Sequence, residues 1–243
     1  MRLTRSHLAQ PLHVGETVTL PEGVAAHLIR VLRLQPGDAC VLFNGDGRDY
    51  QARLASVGKR EARADIVGVG HADNESPLRI SLLQGIARGE KMDWILQKAT
   101  ELGVARILPV NSERSEVKLD AQRAEKRLAH WRDVVISACE QSGRAVVPDV
   151  LAPQALALAA AGCDGHGFLL DPGAEASLSS LRDRPPGACT LAIGPEGGWS
   201  PRDHDQLRAA GFTGLRLGPR VLRTETAGIA AIAALQAIAG DLA

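Results

Sequence analysis

The sequence is poor in the features that announce a familiar chemistry. Its four cysteines, Cys40, Cys139, Cys163 and Cys189, form no C-x-x-C pair and have no histidines at metal-ligand spacing. Neither a zinc site nor a disulfide framework is indicated, and the four read as small core hydrophobes. No stretch approaches the roughly eighteen uninterrupted apolar residues of a membrane span, and the opening Met1-Arg2-Leu3-Thr4-Arg5-Ser6-His7 meets polar residues at once. A signal-peptide core is therefore unexpected, and the reading is a cytoplasmic protein with no membrane partner. Net charge is missing too: 28 Lys+Arg balance 28 Asp+Glu, so any nucleic-acid surface has to be a local patch. No candidate strand is followed by G-x-G-x-x-G, and no G-x-x-x-x-G-K-[ST] loop occurs. Ordinary dinucleotide and NTP sites are thereby excluded.

What is present suits one large domain or two modest ones: 243 residues, 45% of them hydrophobic, enough to bury a substantial core. The first seventy residues alternate short β-type runs with turn signals. These runs are Thr17 to Leu20, Ala39 to Phe43 and Tyr50 to Val57. The last two flank Asn44-Gly45-Asp46-Gly47, where Asn-Gly suits a hairpin turn with positive φ at both central positions. One helix, Val24 to Leu32, interrupts this pattern and stops at Gln35-Pro36-Gly37. A small β-barrel is the natural reading. The polar, proline-bearing stretch His71 to Pro77 marks the end of that domain, giving domains over 1–72 and 73–243.

Beyond it the character changes. Leu78 to Leu83 reads as a strand, Lys91 to Leu102 as a helix ended by Gly103, and Ala105 to Val110 as a strand, a βαβ unit. Helix Ala121 to Gln141 follows, then strands Gly167 to Leu170, Thr190 to Ile193 and Leu215 to Leu217. Such alternation implies an α/β fold with a parallel sheet, whose ligands bind at the carboxyl ends of the strands. Ser200-Pro201-Arg202-Asp203 supplies an N-cap serine, a proline at the first helical position and an acid at the third. The last helix, Ala227 to Ala239, has a single polar side chain, Gln236. A helix this apolar is a core helix or half of a subunit interface, and the interface is the favoured expectation.

Two turns sit at strand ends: Gly194-Pro195-Glu196-Gly197-Gly198, and Gly218-Pro219-Arg220, which leads into Val221-Leu222-Arg223-Thr224-Glu225-Thr226-Ala227. Glycines there let backbone approach a ligand without a Cβ in the way. Alone, the first turn is equally a tight strand-to-helix connection. The second gathers two cations, a hydroxyl and a carboxylate where a mostly apolar helix begins, more polarity than a structural junction requires.

Leu169-Leu170-Asp171-Pro172, Ile193-Gly194-Pro195-Glu196-Gly197-Gly198 and Leu217-Gly218-Pro219-Arg220-Val221-Leu222-Arg223-Thr224-Glu225-Thr226-Ala227, in this order and separation, resemble the SPOUT methyltransferases, and among them the RsmE family. The likeness covers the whole chain, including Gly89 to Val104 and Cys139-Glu140-Gln141-Ser142-Gly143-Arg144; Arg88 departs from it, standing where lysine is expected. The resemblance implies a SPOUT (α/β-knot) domain with a deep trefoil knot, preceded by a PUA-like β-barrel domain that binds RNA, and a homodimer. It also implies methylation of N3 of a uridine in 16S ribosomal RNA of the small ribosomal subunit, with S-adenosyl-L-methionine as donor and no metal. Methylation of another RNA atom or another RNA, and a non-catalytic ribosome-binding protein, remain the alternatives.

The same resemblance assigns the cofactor to Leu170, Asp171 and Pro172, to Ile193, Gly194, Pro195, Glu196, Gly197 and Gly198, and to Leu217, Gly218, Leu222, Arg223, Thr224 and Ala227. Glu196 is expected to support its loop rather than to face the sulfonium charge, and a valine at Gly197 is expected to intrude on the cofactor. Methylating uridine N3 requires loss of a weakly acidic proton and stabilisation of the resulting anion, for which Glu225 is the candidate base and Arg223 the candidate stabiliser. For Glu225 a structural salt bridge to the dimer partner is an equal reading. Arg2, Arg5, His7, Arg30 and Arg33 form the candidate RNA-binding patch, with solvated surface charge as the alternative.

Overall fold

Alternating inward and outward side chains build the first unit of this computed structural model, which describes residues 3–58, 61–117 and 120–242. Strands β1 (Arg5–His7), β2 (Thr17–Leu20), β3 (Ala39–Phe43), β4 (Arg48–Val57) and β5 (Ala62–His71) form one sheet in the order β1-β3-β4-β5-β2. All neighbours are antiparallel except β1 and β3. The inward residues, among them Val18, Leu20, Leu42, Leu54, Ala64 and Ile66, join Leu28 in one core. Register shifts at Gln51/Ala52 and Leu54/Ser56 raise the local twist.

Three sequence expectations change here. Strand β5 escaped notice because its inward side chains are mostly alanines and its second half carries Gly68 and Gly70, all poor strand signals. The β3–β4 connection does have glycines with positive φ, Gly45 at 93° and Gly47 at 84°, but Asn44 is not left-handed. Its side-chain oxygen instead accepts from the Asp46 amide at 3.2 Å, and Asp46 accepts from Arg48 N and Tyr50 Oη, an Asx-stabilised loop in place of a two-residue turn. The expected helix after Pro21 is α1 (Glu22–Ala26) running into a π-helical turn, His27–Val31.

The second unit is a parallel sheet built by crossovers. Its elements are β6 (Arg79–Gly85), α2 (Glu90–Glu101), β7 (Arg106–Asn111), α3 (Ala121–Ser142), β8 (Asp149–Val150), β9 (Gln154–Ala155) and α4 (Leu156–Ala161). β10 (His166–Leu170), β11 (Ala188–Ile193), α5 (Pro201–Ala209), β12 (Thr213–Leu215) and α6 (Thr224–Ala239) complete it. The order is β12-β10-β11-β6-β7-β8, with β9 also on β7, and every pairing is parallel. The central strands are buried almost throughout, as a sheet covered on both faces demands. Helix α5 carries the capping box read from the sequence: Ser200 Oγ accepts from Asp203 N at 3.1 Å, and Asp203 Oδ2 accepts from Ser200 N at 2.9 Å.

The units do not divide at a single point. Residues 1–75 group with 139–147, and 76–138 with 148–243. The last turn of α3 and the chain after it thus belong with the β-rich unit, where Phe43, Cys139 and Ala145 form a second apolar cluster. Arg144 ties this segment in: its guanidinium donates to the Glu75 carboxylate, and its carbonyl accepts from Arg5 Nη2 at 3.0 Å. No composition shift marks that return, so a reading by linkers could not see it. All four cysteines are free; burial pushes the Cys40 thiol up to about 11 and those of Cys139 and Cys189 to about 12, which makes them inert at neutral pH.

Candidate functional site

β10, β11 and β12 end side by side, and the chain leaving them encloses a cavity of about 390 Å³, large enough for a cofactor-sized ligand. Leu170, Asp171 and Pro172 follow β10, Ile193 to Gly198 follow β11, and Leu217, Gly218, Leu222, Thr224 and Ala227 complete the wall. Every residue assigned to the cofactor from the sequence lies in this lining except Arg223, which is exposed at the N-cap of α6.

Local geometry explains how the three segments meet. β12 ends earlier than the Leu215 to Leu217 expectation: its last register pair with β10 is Leu215 on Leu170, and Arg216 bridges to Ser177 instead. Leu217 is thereby released into the cavity wall. At the opposite wall a Cβ on Gly85 would lie 2.5 Å from Pro195 Cδ and 2.6 Å from Pro195 N, so only glycine lets β6 touch the loop after β11. Thr224 Oγ1 donates to the Gly194 carbonyl and accepts from Gln84 Nε2 at 3.0 Å, and Gln84 Nε2 also donates to Gly85 O at 2.9 Å. Thr224 and Gln84 are buried. This chain of bonds pins the start of α6 against the first glycine turn.

Glu196 supports its loop. Its carboxylate accepts from the Arg88 amide at 3.1 Å and from Lys91 Nζ at 3.3 Å. Burial pushes its pKa up, but the amides of Arg88 and Glu196 itself and the Lys91 ammonium outweigh that and hold it below the ordinary value. Gly197 lines the cavity and also abuts the segment after β7. A Cβ there would meet Arg114 Cβ at 3.1 Å and Arg114 O at 3.3 Å, while Arg114 Nη1 donates to Gly197 O at 3.1 Å. A valine at this position therefore presses on that segment as well.

Sequence reasoning overlooked several lining residues: Trp199, His204, Leu215, Arg220 and Val221. Trp199 follows the glycine turn directly and His204 lies one turn into α5, so their positions were inferable from the cap motif. Trp199 Nε1 and His204 Nδ1 are buried without hydrogen-bond partners among the described residues. His204 Nδ1 lies 3.9 Å from Asp171 Oδ2, and a buried indole N–H with no hydrogen bond among the described residues suits a ligand with a polar edge.

The candidate chemical pair divides between two places. Glu225 opens onto a neighbouring groove with Lys91, Asp93, Trp94 and His130; its Oε2 is buried and has no hydrogen-bond partner among the described residues. Arg223 is exposed two residues earlier. Arg220, the other cation read in the second turn but given no role there, is the arginine that lines the cavity.

The candidate RNA residues also separate. Arg2 lies outside the described residues. Arg5 is 8% exposed, pairs with Asp49, donates to the Arg144 carbonyl and lies over the Phe43 ring at 4.9 Å. His7 packs edge-on against Phe43, and burial lowers its pKa against the opposing pull of Glu140 and the Asn44 backbone, so it carries little positive charge at neutral pH. Arg30 and Arg33 are exposed and flank Val31 and Leu32, 66% and 41% exposed, on the π-helical turn. Arg33, with φ of 58°, is the one non-glycine residue with positive φ among those described.

Among the described residues no group of three or more His, Cys, Asp or Glu could hold a metal, and no helix is long and apolar enough to cross a membrane. Residues 74–236 match the family of RNA methyltransferase domains, and residues 20–67 the RNA methyltransferase PUA domain. The chain is 31% identical to the ribosomal RNA small subunit methyltransferase E of Buchnera aphidicola, over 99% of this chain and 98% of that one. It is likewise 31% identical to that of Bacillus subtilis, over 93% and 92%. Among solved structures it is similar to a ribosomal RNA small subunit methyltransferase E from Neisseria gonorrhoeae bound to S-adenosyl methionine, with 44% identity, TM-score 0.92 and full coverage of both chains. A putative methyltransferase from Legionella pneumophila in complex with the same cofactor shares 38% identity at TM-score 0.94, again over both whole chains. With both domain matches and near-complete coverage of its relatives, the chain belongs to the ribosomal RNA small subunit methyltransferase E family.

Proposed function

We propose that the protein methylates N3 of a uridine in 16S ribosomal RNA of the small subunit, using S-adenosyl-L-methionine held in the cavity at the ends of β10, β11 and β12. The observation that carries this reading is the convergence of the three glycine- and proline-bearing segments on one cavity with open polar atoms. The residues present fit the cofactor. Backbone around Leu170, Ile193, Gly194, Leu217, Gly218 and Leu222 replaces the water lost by an adenine edge, and Trp199 Nε1, with no hydrogen bond among the described residues, meets a further polar atom. When bound, the cofactor supplies an electrophilic methyl group on a sulfonium.

The chain's own part is to hold and deprotonate the base. In this reading the N3 proton passes to the Glu225 carboxylate, whose Oε2 has no competing hydrogen bond among the described residues, and Arg223 faces the negative charge that spreads over the uracil oxygens. Arg220, at the cavity edge, adds a second cation. Arg30 and Arg33 serve as the RNA-facing pair of the PUA domain. Arg5, by its burial, serves that domain's structure first. The chain after Gly194 is read as threading the deep trefoil knot, with Thr224 and Gly85 as its tight points.

A homodimer accompanies this reading. α6 buries Ala231, Ile232 and Leu235 within its own unit and leaves the opposite apolar side, with Ile229, Ala230 and Ala233, only partly covered, a surface suited to a second copy. The setting is the cytoplasm, where small subunits are assembled. Incubation with methyl-labelled S-adenosyl-L-methionine and small subunits lacking the modification tests the proposal. Label in the RNA supports it, while binding of the subunits without any cofactor binding points to a non-catalytic partner.

A further inference from the structure

The cavity wall formed by Leu217 and Gly218 has a second side. Behind it lies another cavity of about 700 Å³, bounded by the 3-10 turn Leu178–Arg182, the Arg216–Pro219 loop and the last turns of α6. Two arginines, Arg182 and Arg216, line it together with Ser177 and Ser179, and among the described residues no Asp or Glu does. Neither arginine has a role in the reaction proposed above, and two cations lining one cavity, neither with an ion-pair partner among the described residues, call for an anion.

The arrangement is held by backbone. Arg216 N donates to Ala176 O at 2.8 Å, Leu178 N donates to Arg216 O at 3.1 Å, and Ser177 bridges Arg216 in parallel register. Ser177 Oγ and Ser179 Oγ lie 2.7 Å apart. The turn and the loop are thus stitched together on both sides of Arg216, so its position and that of the serines are set before a ligand arrives. Across from them α6 presents the small side chains of Ala234 and Ala237, which leaves the space open.

Two planar guanidinium forks and two hydroxyls match the oxygens of a phosphate. Shared residues fix its relation to the reaction: Leu217 and Gly218 line both this cavity and the cofactor cavity. We propose that the Arg182–Arg216 cavity seats a phosphodiester of the substrate RNA next to the target nucleotide, anchoring the strand one loop away from the methyl donor. This inference rests on the RNA-methylating function proposed above.

The test compares wild type, R182A, R216A, R182A/R216A and R182K/R216K in binding unmodified small subunits across a salt series, with cofactor affinity measured by calorimetry on the same samples. The double alanine variant is expected to bind the subunits about tenfold more weakly near 0.1 M salt. The slope of log affinity against log salt should shrink by about one to two. The lysine pair, which keeps the charge, should recover most of that slope, and cofactor affinity should stay at the wild-type value in all four variants. R182A alone, on the exposed side of the turn, gives the same direction of change without touching the stitched strand. An unchanged slope overturns the proposal. So does a loss of cofactor affinity with RNA affinity intact, which gives the cavity to the cofactor. A wild-type protein that binds no small subunits removes the proposed function itself, and this inference with it.

Discussion

Replacing Thr224 by valine keeps the side chain's shape and removes the one hydroxyl that joins β6, the first glycine turn and α6. In the wild type Thr224 Oγ1 donates to Gly194 O and accepts from Gln84 Nε2 at 3.0 Å, with Thr224 7% exposed and Gln84 0%. In the variant Gln84 Nε2 keeps its bond to Gly85 O, so its loss is limited to one net hydrogen bond, about 1 kcal/mol. The Gly194 carbonyl loses the Thr224 donor in a partly buried place, a cost of about 1–2 kcal/mol. The total is about 2–3 kcal/mol, which for a chain of this size lowers the melting temperature by about 4–12 °C. Because Gly194 lines the cavity proposed for the cofactor, part of the loss is also expected in binding: about 1 kcal/mol of lost order in that wall weakens S-adenosyl-L-methionine by roughly fivefold. Scanning calorimetry and isothermal titration read the two effects, and Thr224→Ser, which keeps the hydroxyl, is expected to restore most of both. A Thr224→Val variant that melts within about 1 °C of wild type and binds the cofactor equally well refutes the reasoning.

Further outcomes follow from single residues. Glu196→Gln removes the carboxylate that gathers the Arg88 amide and Lys91. Since the folded pKa is below the unfolded one, the stabilisation is complete above the unfolded value and disappears as pH falls through the folded one. Urea titrations of wild type and variant should therefore differ at pH 7 and converge in acid; a difference that grows in acid contradicts the sign. Arg5→Ala removes the guanidinium that pairs with Asp49 and one donor to the Arg144 carbonyl, costing about 2 kcal/mol or more in denaturant unfolding; a stable variant defective only in RNA binding would return Arg5 to the RNA surface. Arg30→Ala/Arg33→Ala should lower the salt slope of RNA binding by about one to two with stability within about 0.5 kcal/mol of wild type, whereas a slope equal to wild type removes the pair from the RNA contact.

Much of the site was readable because its glycines, prolines and cap residues act locally. Ser200-Pro201-Arg202-Asp203 needs only its own backbone to form a capping box, and it does so. The three segments proposed to hold the cofactor fall at the ends of adjacent parallel strands, where an alternating strand and helix pattern places ligands. What could not be read depends on pairing at long range. Whether β12 stops at Leu215 or runs to Leu217 is decided by β10 and by the Ser177 bridge, which compete for Arg216. Arg5 looks like surface charge in a polar heptapeptide, yet Asp49, Phe43 and the Arg144 carbonyl enclose it. The return of residues 139–147 to the β-rich unit carries no composition signal. Glu225 was found by residue type alone, and only the structure shows that it opens onto the α2 groove, one residue from Thr224 in the cofactor wall.

Mass spectrometry of nucleosides from small subunits treated with the protein and S-adenosyl-L-methionine reads the methylated atom directly. 3-Methyluridine is expected to appear in step with methyl consumption and to be missing from reactions with Glu225→Gln. A methyl group found on a ribose hydroxyl or another base, or 3-methyluridine formed at the wild-type rate by Glu225→Gln, contradicts this expectation.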